Sequence, residues 1–512
     1  MTPSRWSFAR SARRAWQGIR CLFPTVDQWR ALASPFGRAN AWLPWHVGPH
    51  FLAWWRKSLT DENKHFLSNL FTGLAITVVL QLMHGSRVVN ALEDTSLDWM
   101  IAMFGATRTS SAVSFVWIDI DERTFQEWKE PLYTPRQQLR TLIQFAADSA
   151  ARVVVVDVDL ATPSGDAAGD ESLKSYFKEF SIRCGNQAEN ACPQIILTRS
   201  FRRTLPRDEL QERRSFLDPV VVNSSHVHWG SPLYLRSSDW LIRGANLWQT
   251  SCNGSQANTV PSIPLLARCL WQGHDLDKLR LAIQEHEKGK CDDTGRVRSS
   301  AETRESLHVC GMDIDESGSR LASRILFSVP WSAARVDSEV DEAGTERGEP
   351  QEVGSRSVGW LSTMSAASIL NAGTRQPVSK ELLKDRIIII GGSFDASGDL
   401  HPTPLGPMPG ALVVANAIHS LAEHGQIGAP SLWVVLPWEA LFLLVMSMPF
   451  AAFNSFFGML WSSLFVLLLT LPVSLLLFHS GSWLSFMIPL VSVQFHRLVS
   501  ALEAEGKRRH NA

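Results

Sequence analysis

The chain has 512 residues, enough for more than one domain of roughly 100 to 200 residues and for one sizeable core. Its hydrophobic fraction is 45%, its mean hydropathy −0.03 and its formal net charge −1 at pH 7, values like those of an ordinary soluble protein. The averages hide a strong segregation of apolar residues along the chain, which excludes a uniformly soluble protein, and the neutral balance gives no basis for a nucleic-acid partner.

Residues 1–65 carry ten Lys and Arg against three Asp and Glu, with seven tryptophans, and are broken by Pro24, Pro35, Pro44 and Pro49. So irregular a segment builds no core of its own. Arginine with interspersed aromatics suits an anionic bilayer surface, where each basic residue contributes about 1 kcal/mol. It equally suits a solvated tail with Trp54 and Trp55 as an aromatic belt, or a partner-binding arm. Phe66–Met83 follows, eighteen residues without a charge. At a rise of about 1.5 Å per residue it just crosses a hydrocarbon core of about 30 Å, so a spanning helix is expected at 66–84. Too many residues precede it for a secretory signal, so it is expected to stay as an uncleaved anchor.

Residues 85–430 read as an α/β domain with a mostly parallel sheet. Strands are expected at Ala112–Ile120, Arg152–Leu160, Gln194–Thr198, Arg324–Val329 and Arg386–Ile390, and helices at Pro135–Ser149, Ser365–Asn371 and Ala411–His424. Near-continuous β-branched runs separated by a helix are the pattern of parallel strands buried on both faces. Residues 161–190 and 271–320 read as inserts that add little core, and the polar, acidic stretch 333–357 as a mobile loop.

A second apolar block divides into 431–451, 455–478 and 482–499, with breaks at Asn454 and at His479–Ser482, and reads as three more spans. Four spans place both termini on one side. The basic excess of residues 1–65 and of the tail 500–512 with Arg497 assigns that side to the cytoplasm of a bacterial inner membrane, and the acidic stretch between the blocks to the outside. Glu439 is the one acidic residue in these predicted spans. Such a carboxylate is costly and often functional; an ion path, a bond to a partner helix and an interfacial position beside Trp438 all stay open.

Cys21 stands alone in the first segment, whereas Cys184, Cys192, Cys252, Cys269, Cys291 and Cys310 fall in the exported part, where disulfides persist. Six cysteines allow fifteen pairings. Joining nearest neighbours in sequence gives Cys184–Cys192, Cys252–Cys269 and Cys291–Cys310; six free buried thiols is the alternative.

The strand ending Ile118-Asp119-Ile120-Asp121, the strand ending Asp157-Val158-Asp159, and Ser365–Leu370 together resemble a CHASE2 domain. So does the closing run Ile387–Gly391, Asp399, Thr403-Pro404, Met408-Pro409-Gly410 and Ala415-Asn416. The resemblance covers about residues 86–498. It implies an extracytoplasmic sensory module of a bacterial receptor, preceded by one transmembrane helix and followed by three. Relatives continue into a cyclase or kinase output domain, whereas too few residues follow the last apolar run here to form one. The resemblance therefore implies a sensor subunit that signals through a separate cytoplasmic or membrane partner. A structural or assembly subunit of an envelope complex is the alternative, and self-association stays open.

In open α/β sheets ligands bind beyond the carboxyl ends of the strands. Asp119, Asp121, Asp157 and Asp159 are expected there, joined by Asp399 and His401 after the last strand. Clustered carboxylates would attract a divalent cation or a cationic small molecule; the same residues also serve as helix caps and loop anchors. Asp119–Thr124 has the form DxDxT of an aspartyl nucleophile, without any accompanying phosphotransferase motif, so an envelope enzyme using the Asp119/Asp157 crevice ranks last and no catalytic residue or resident cofactor is expected. Gly391-Gly392 would let a phosphate approach, but no GxGxxG or GxxxxGK[ST] pattern accompanies them, and a plain turn competes. HExxH and GxSxG are absent.

Overall fold

In the computed structural model, the structure describes residues 86–104, 111–186, 192–204, 209–292, 307–314, 320–334, 355–371, 380–428 and 466–479, with a few single positions between 433 and 483. Two compact units result, one of residues 98–428 and one of residues 1–97 with 429–512. In the second, a π-helical turn at Val466–Thr470 runs into a helix at Leu471–His479. The other expected spans, the two terminal segments, most of 333–357 and Glu439 lie wholly or almost wholly outside the described residues. Among the described residues no helix is long and apolar enough to cross a membrane.

The unit of residues 98–428 is built on a seven-stranded sheet. Its strands are β1 (Phe115–Ile120), β2 (Val153–Asp157), β3 (Gln194–Thr198), β4 (Val227–Gly230), β5 (Ser355–Val358), β6 (Leu361–Ser365) and β7 (Ile387–Gly392), in the order β5-β6-β1-β7-β2-β3-β4. All neighbours are parallel except β5, which closes the edge as an antiparallel hairpin with β6. The four isoleucines of β7 are fully buried. Burying each one stabilises the fold by roughly 1.5–3 kcal/mol, and only a strand covered on both faces can use all four.

Strand alternation then assigns the two layers. Val116, Ile118, Val154, Val156, Ile388 and Ile390 pack against α3 (Arg136–Ala147) and α4 (Ala167–Gly185). Helix α3 presents Leu139, Leu142, Ile143, Ala146 and Ala147, the spacing of one helix face. The other layer holds α5 (Ile263–Trp271) and α8 (Gly410–His424). Twelve consecutive residues of α8, Gly410 to Leu421, are buried, as a helix enclosed on all sides requires. Shorter helices α2 (Glu122–Glu127) and α7 (Ala366–Leu370) follow β1 and β6, and α6 (Leu276–Glu287) follows α5.

Three expectations are corrected. Residues 324–329 form no strand: Arg324 makes only an isolated bridge to Gly244, Ile325 N donates to Arg243 O at 2.8 Å, and from Leu326 onward side chains of α8 take backbone amides. Ser420 Oγ accepts from Leu326 N at 2.9 Å, and Asn416 Oδ1 accepts from Ser328 N and Val329 N at 2.8 and 3.1 Å. The insert at 161–190 contributes to the core, since α4 buries Leu173, Phe177 and Phe180 against the sheet. The region 271–320 does so too, with Leu279 and Ile283 of α6 buried.

The disulfides are Cys184–Cys192, Cys252–Cys291 and Cys269–Cys310. Only the first follows nearest neighbours. Cys269 sits fully buried on α5 and faces the small hairpin of Leu307–Val309 with Met312–Ile314, whereas Cys252 lies on a separate hairpin, Trp248–Asn253 with Gln256–Pro261.

Candidate functional site

The carboxyl ends of β1, β7 and β2 lie side by side, with Asp119 paired to Gly391 and Gly391 to Asp157. The three residues share the face covered by α8. A Cβ on Gly391 would lie 2.6 Å from the Ala411 Cβ and 3.3 Å from that of Asp157, so only glycine admits the first turn of α8 between the two carboxylates. A Cβ on Gly392 would meet the Phe394 ring at 2.8 Å. Neither glycine opens onto a space for phosphate; both serve close packing.

The six expected acidic and histidine residues divide into three groups. Asp119 is 3% exposed, accepts a hydrogen bond from Ser393 Oγ at 2.7 Å through Oδ2, and leaves Oδ1 without a partner. Burial, reinforced by the nearby Asp121 charge, pushes its carboxyl well above the usual range. Asp121 and Asp159 are structural. Asp121 caps α2 through Thr124 N at 2.8 Å, while Asp159 holds Ala161 N and Ser200 Oγ at 2.8 and 2.6 Å with Arg213 alongside. The third group is the convergent one.

Asp157 ends β2 and accepts from Thr198 Oγ1 at 3.2 Å. Burial raises its carboxyl to about 7, the Asp399 charge adds to the rise, and Thr198 and His401 oppose it. His401 Nε2 lies 2.9 Å from Asp399 Oδ1. Both belong to the segment joining β7 to α8, whose hairpin pairs Leu400–Thr403 with Gly406–Pro409. The hairpin reverses at Gly406, φ +98°, where Thr403 Oγ1 donates to Gly406 O at 2.7 Å. Asp399 fixes the start of α8: its carbonyl accepts from Gly410 N at 3.0 Å, and its carboxylate packs where a Gly410 Cβ would stand.

Tyr234, absent from the sequence expectations, feels the charges of this group. Its hydroxyl is buried without a hydrogen-bond partner and is pushed up by burial and by the charges of Asp157 and Asp399. It stands 35 or more residues from every other member in sequence, outside any motif. Among the described residues no three His, Cys, Asp or Glu side chains converge to hold a metal ion, so the divalent-cation expectation finds no site.

Helix α8 runs antiparallel to β1 and β7, since Ala411 meets Gly391 while His419 meets Phe115, ring to ring at 6.3 Å. At its C-terminal end Arg268 of α5 donates to the carbonyls of Leu421 and Ala422. Glu423 Oε1 accepts from Ala112 N at 2.9 Å and from Ser111 Oγ at 2.5 Å, tying the helix to the segment that leads into β1. Beside this half, Asp98 of the helix α1 (Arg87–Phe104) is held by Arg243 at 2.7 Å and by Arg324. A small pocket opens here against Ala417, Ser420 and Leu421, away from the carboxylates.

A family model for the CHASE2 domain matches residues 71–453. No curated protein and no solved structure matches the chain.

Proposed function

The chain belongs to the CHASE2 domain family, a family of sensory domains, and from that premise we propose that it is a membrane-anchored, non-catalytic sensor subunit that signals through a separate partner. Residues 85–430 face the outside of a bacterial inner membrane, and four apolar segments anchor the chain with both termini in the cytoplasm. The eighteen uncharged residues of Phe66–Met83, the basic flanks and the three disulfides support this placement.

The observation that carries the proposal is the reach of α8. Its fifteen residues, about 22 Å at helical rise, run from the Asp157–Asp399 group to the Arg268 and Glu423 fastenings, and the chain then continues into the apolar block at 431. A change around its first turn is thereby delivered to its last.

Isolation of the intact chain from native membranes in mild detergent tests the reading. A cyclase, kinase or response regulator is expected to travel with it, and less so with Glu423→Ala than with the parent. Association solely with wall-synthesis or secretion components, unchanged in Glu423→Ala, would overturn the sensor in favour of an assembly role.

A further inference from the structure

Resting on the sensor reading, we infer that the cue read at this end of the domain is the proton: Asp157, Asp399, His401 and Tyr234 form a protonation switch that acts on the first turn of α8. The case begins with what surrounds Asp157. From β3 it meets Thr198, from β7 Gly391, beyond which Asp119 of β1 stands on the same face, and from α8 the uncharged Ala411. The charged residues of α8, His419, Glu423 and His424, sit in its last six positions, and the single charge of α5, Arg268, is spent on carbonyls there. The hairpin supplies Asp399 and His401, and the strand Tyr234–Arg236 supplies a hydroxyl with no hydrogen-bond partner.

Asp157 therefore lies within reach of the Asp399 charge, and His401 stands 2.9 Å from Asp399 on the same hairpin. This is the arrangement in which one carboxyl keeps a proton to near neutrality, and burial raises Asp157 to about 7. The consequence is mechanical. Asp399 cannot respond to a charge on Asp157 without moving the start of α8, because its carbonyl holds Gly410 N and its carboxylate rests on Gly410. In acid Asp157 is neutral and the segment packs close. In base the two charges repel, and the hairpin with the first turn of α8 is driven outward.

The test is a spin-label distance measurement on the intact chain in detergent. Labels at Leu400→Cys and Leu132→Cys, both exposed, are placed in a Cys21→Ser background. The distance distribution is expected to shift between pH 5.5 and 8.5 with a midpoint near 7. Asp157→Asn should abolish the shift. Asp399→Asn should lower the midpoint by removing the like charge, and His401→Gln should raise it. A distribution independent of pH, a shift that survives Asp157→Asn, or midpoints moving in the same direction in the two other variants would each overturn the switch. None of these outcomes touches whether a signalling partner co-purifies, so failure of the switch and failure of the sensor reading are distinguishable.

Discussion

The two ends of α8 handle charge in opposite ways. At and beside its C-terminal half the carboxylates and the arginine are matched: Asp98 by two arginines, Glu423 by an amide and a hydroxyl, Arg268 by carbonyls that end a helix. At its N-terminal end Asp157 feels the charges of Asp399 and His401, Asp119 stands one strand away across Gly391, and a carboxyl oxygen of Asp119 and the Tyr234 hydroxyl lack hydrogen-bond partners. Matched charges hold a structure in one arrangement, whereas unmatched buried ones change state with their surroundings. One end is a fastening and the other is a responsive surface, joined by a helix too enclosed to bend freely.

The comparison is broken hardest at the fastening. Asp98→Ala removes the carboxylate that Arg243 and Arg324, both under a tenth exposed, share; Asp239 still pairs Arg243 at 2.6 Å, so the cost in urea unfolding is expected toward the lower end of about 3–5 kcal/mol. A smaller loss would show that solvent compensates the arginines. Removing Cys252–Cys291, which closes 39 residues, should cost about 4 kcal/mol by chain entropy, against about 2.5 kcal/mol for the 8-residue loop of Cys184–Cys192. Equal losses would mean the longer bridge is redundant with the packing of α6.

At the responsive end the sign reverses. The folded value of Asp157, about 7, exceeds the unfolded carboxylate value. Its charge therefore opposes folding above pH 7, and that penalty fades as pH falls below it. The parent should melt at lower temperature at pH 8 than at pH 5.5, and Asp157→Asn should melt higher than the parent at pH 8, by less at pH 5.5, and match it only below about pH 4, the unfolded carboxylate value. Each tenfold change in proton affinity is worth about 1.4 kcal/mol, reduced here because Asp157 is partly exposed. A parent profile equal to that of Asp157→Asn would remove the basis for the contrast. The smallest effect sharpens it: Asp121→Ala should cost about 1 kcal/mol as a lost helix cap and leave any pH response intact.

The sequence made some of this legible. β3 is legible to the residue, and α3, α8, β1 and β7 within three, because long β-branched or amphipathic runs advertise themselves. β4, with His228 and Trp229, and β6, with two serines and a threonine, are too short and polar to stand out. Residues 324–329 misled because an apolar run seeks backbone partners without revealing that Asn416 and Ser420 supply them. Asp157, Asp399 and His401 were visible as residues beyond strand ends, yet nothing local separated them from Asp121 and Asp159, whose partners are loop and helix amides. Tyr234 carried no signal at all, being brought in by a hairpin after an edge strand.

The central claim, that α8 carries a change of charge at one end to the other, is tested most directly by hydrogen exchange at one pH. At pH 8, intact Asp157→Asn and the parent are compared at the α8 amides and at Ala112, whose amide binds Glu423. The account predicts slower exchange in Asp157→Asn along the whole of α8 and at Ala112. A difference confined to the hairpin and the first turn, with Ala112 unchanged, would contradict it.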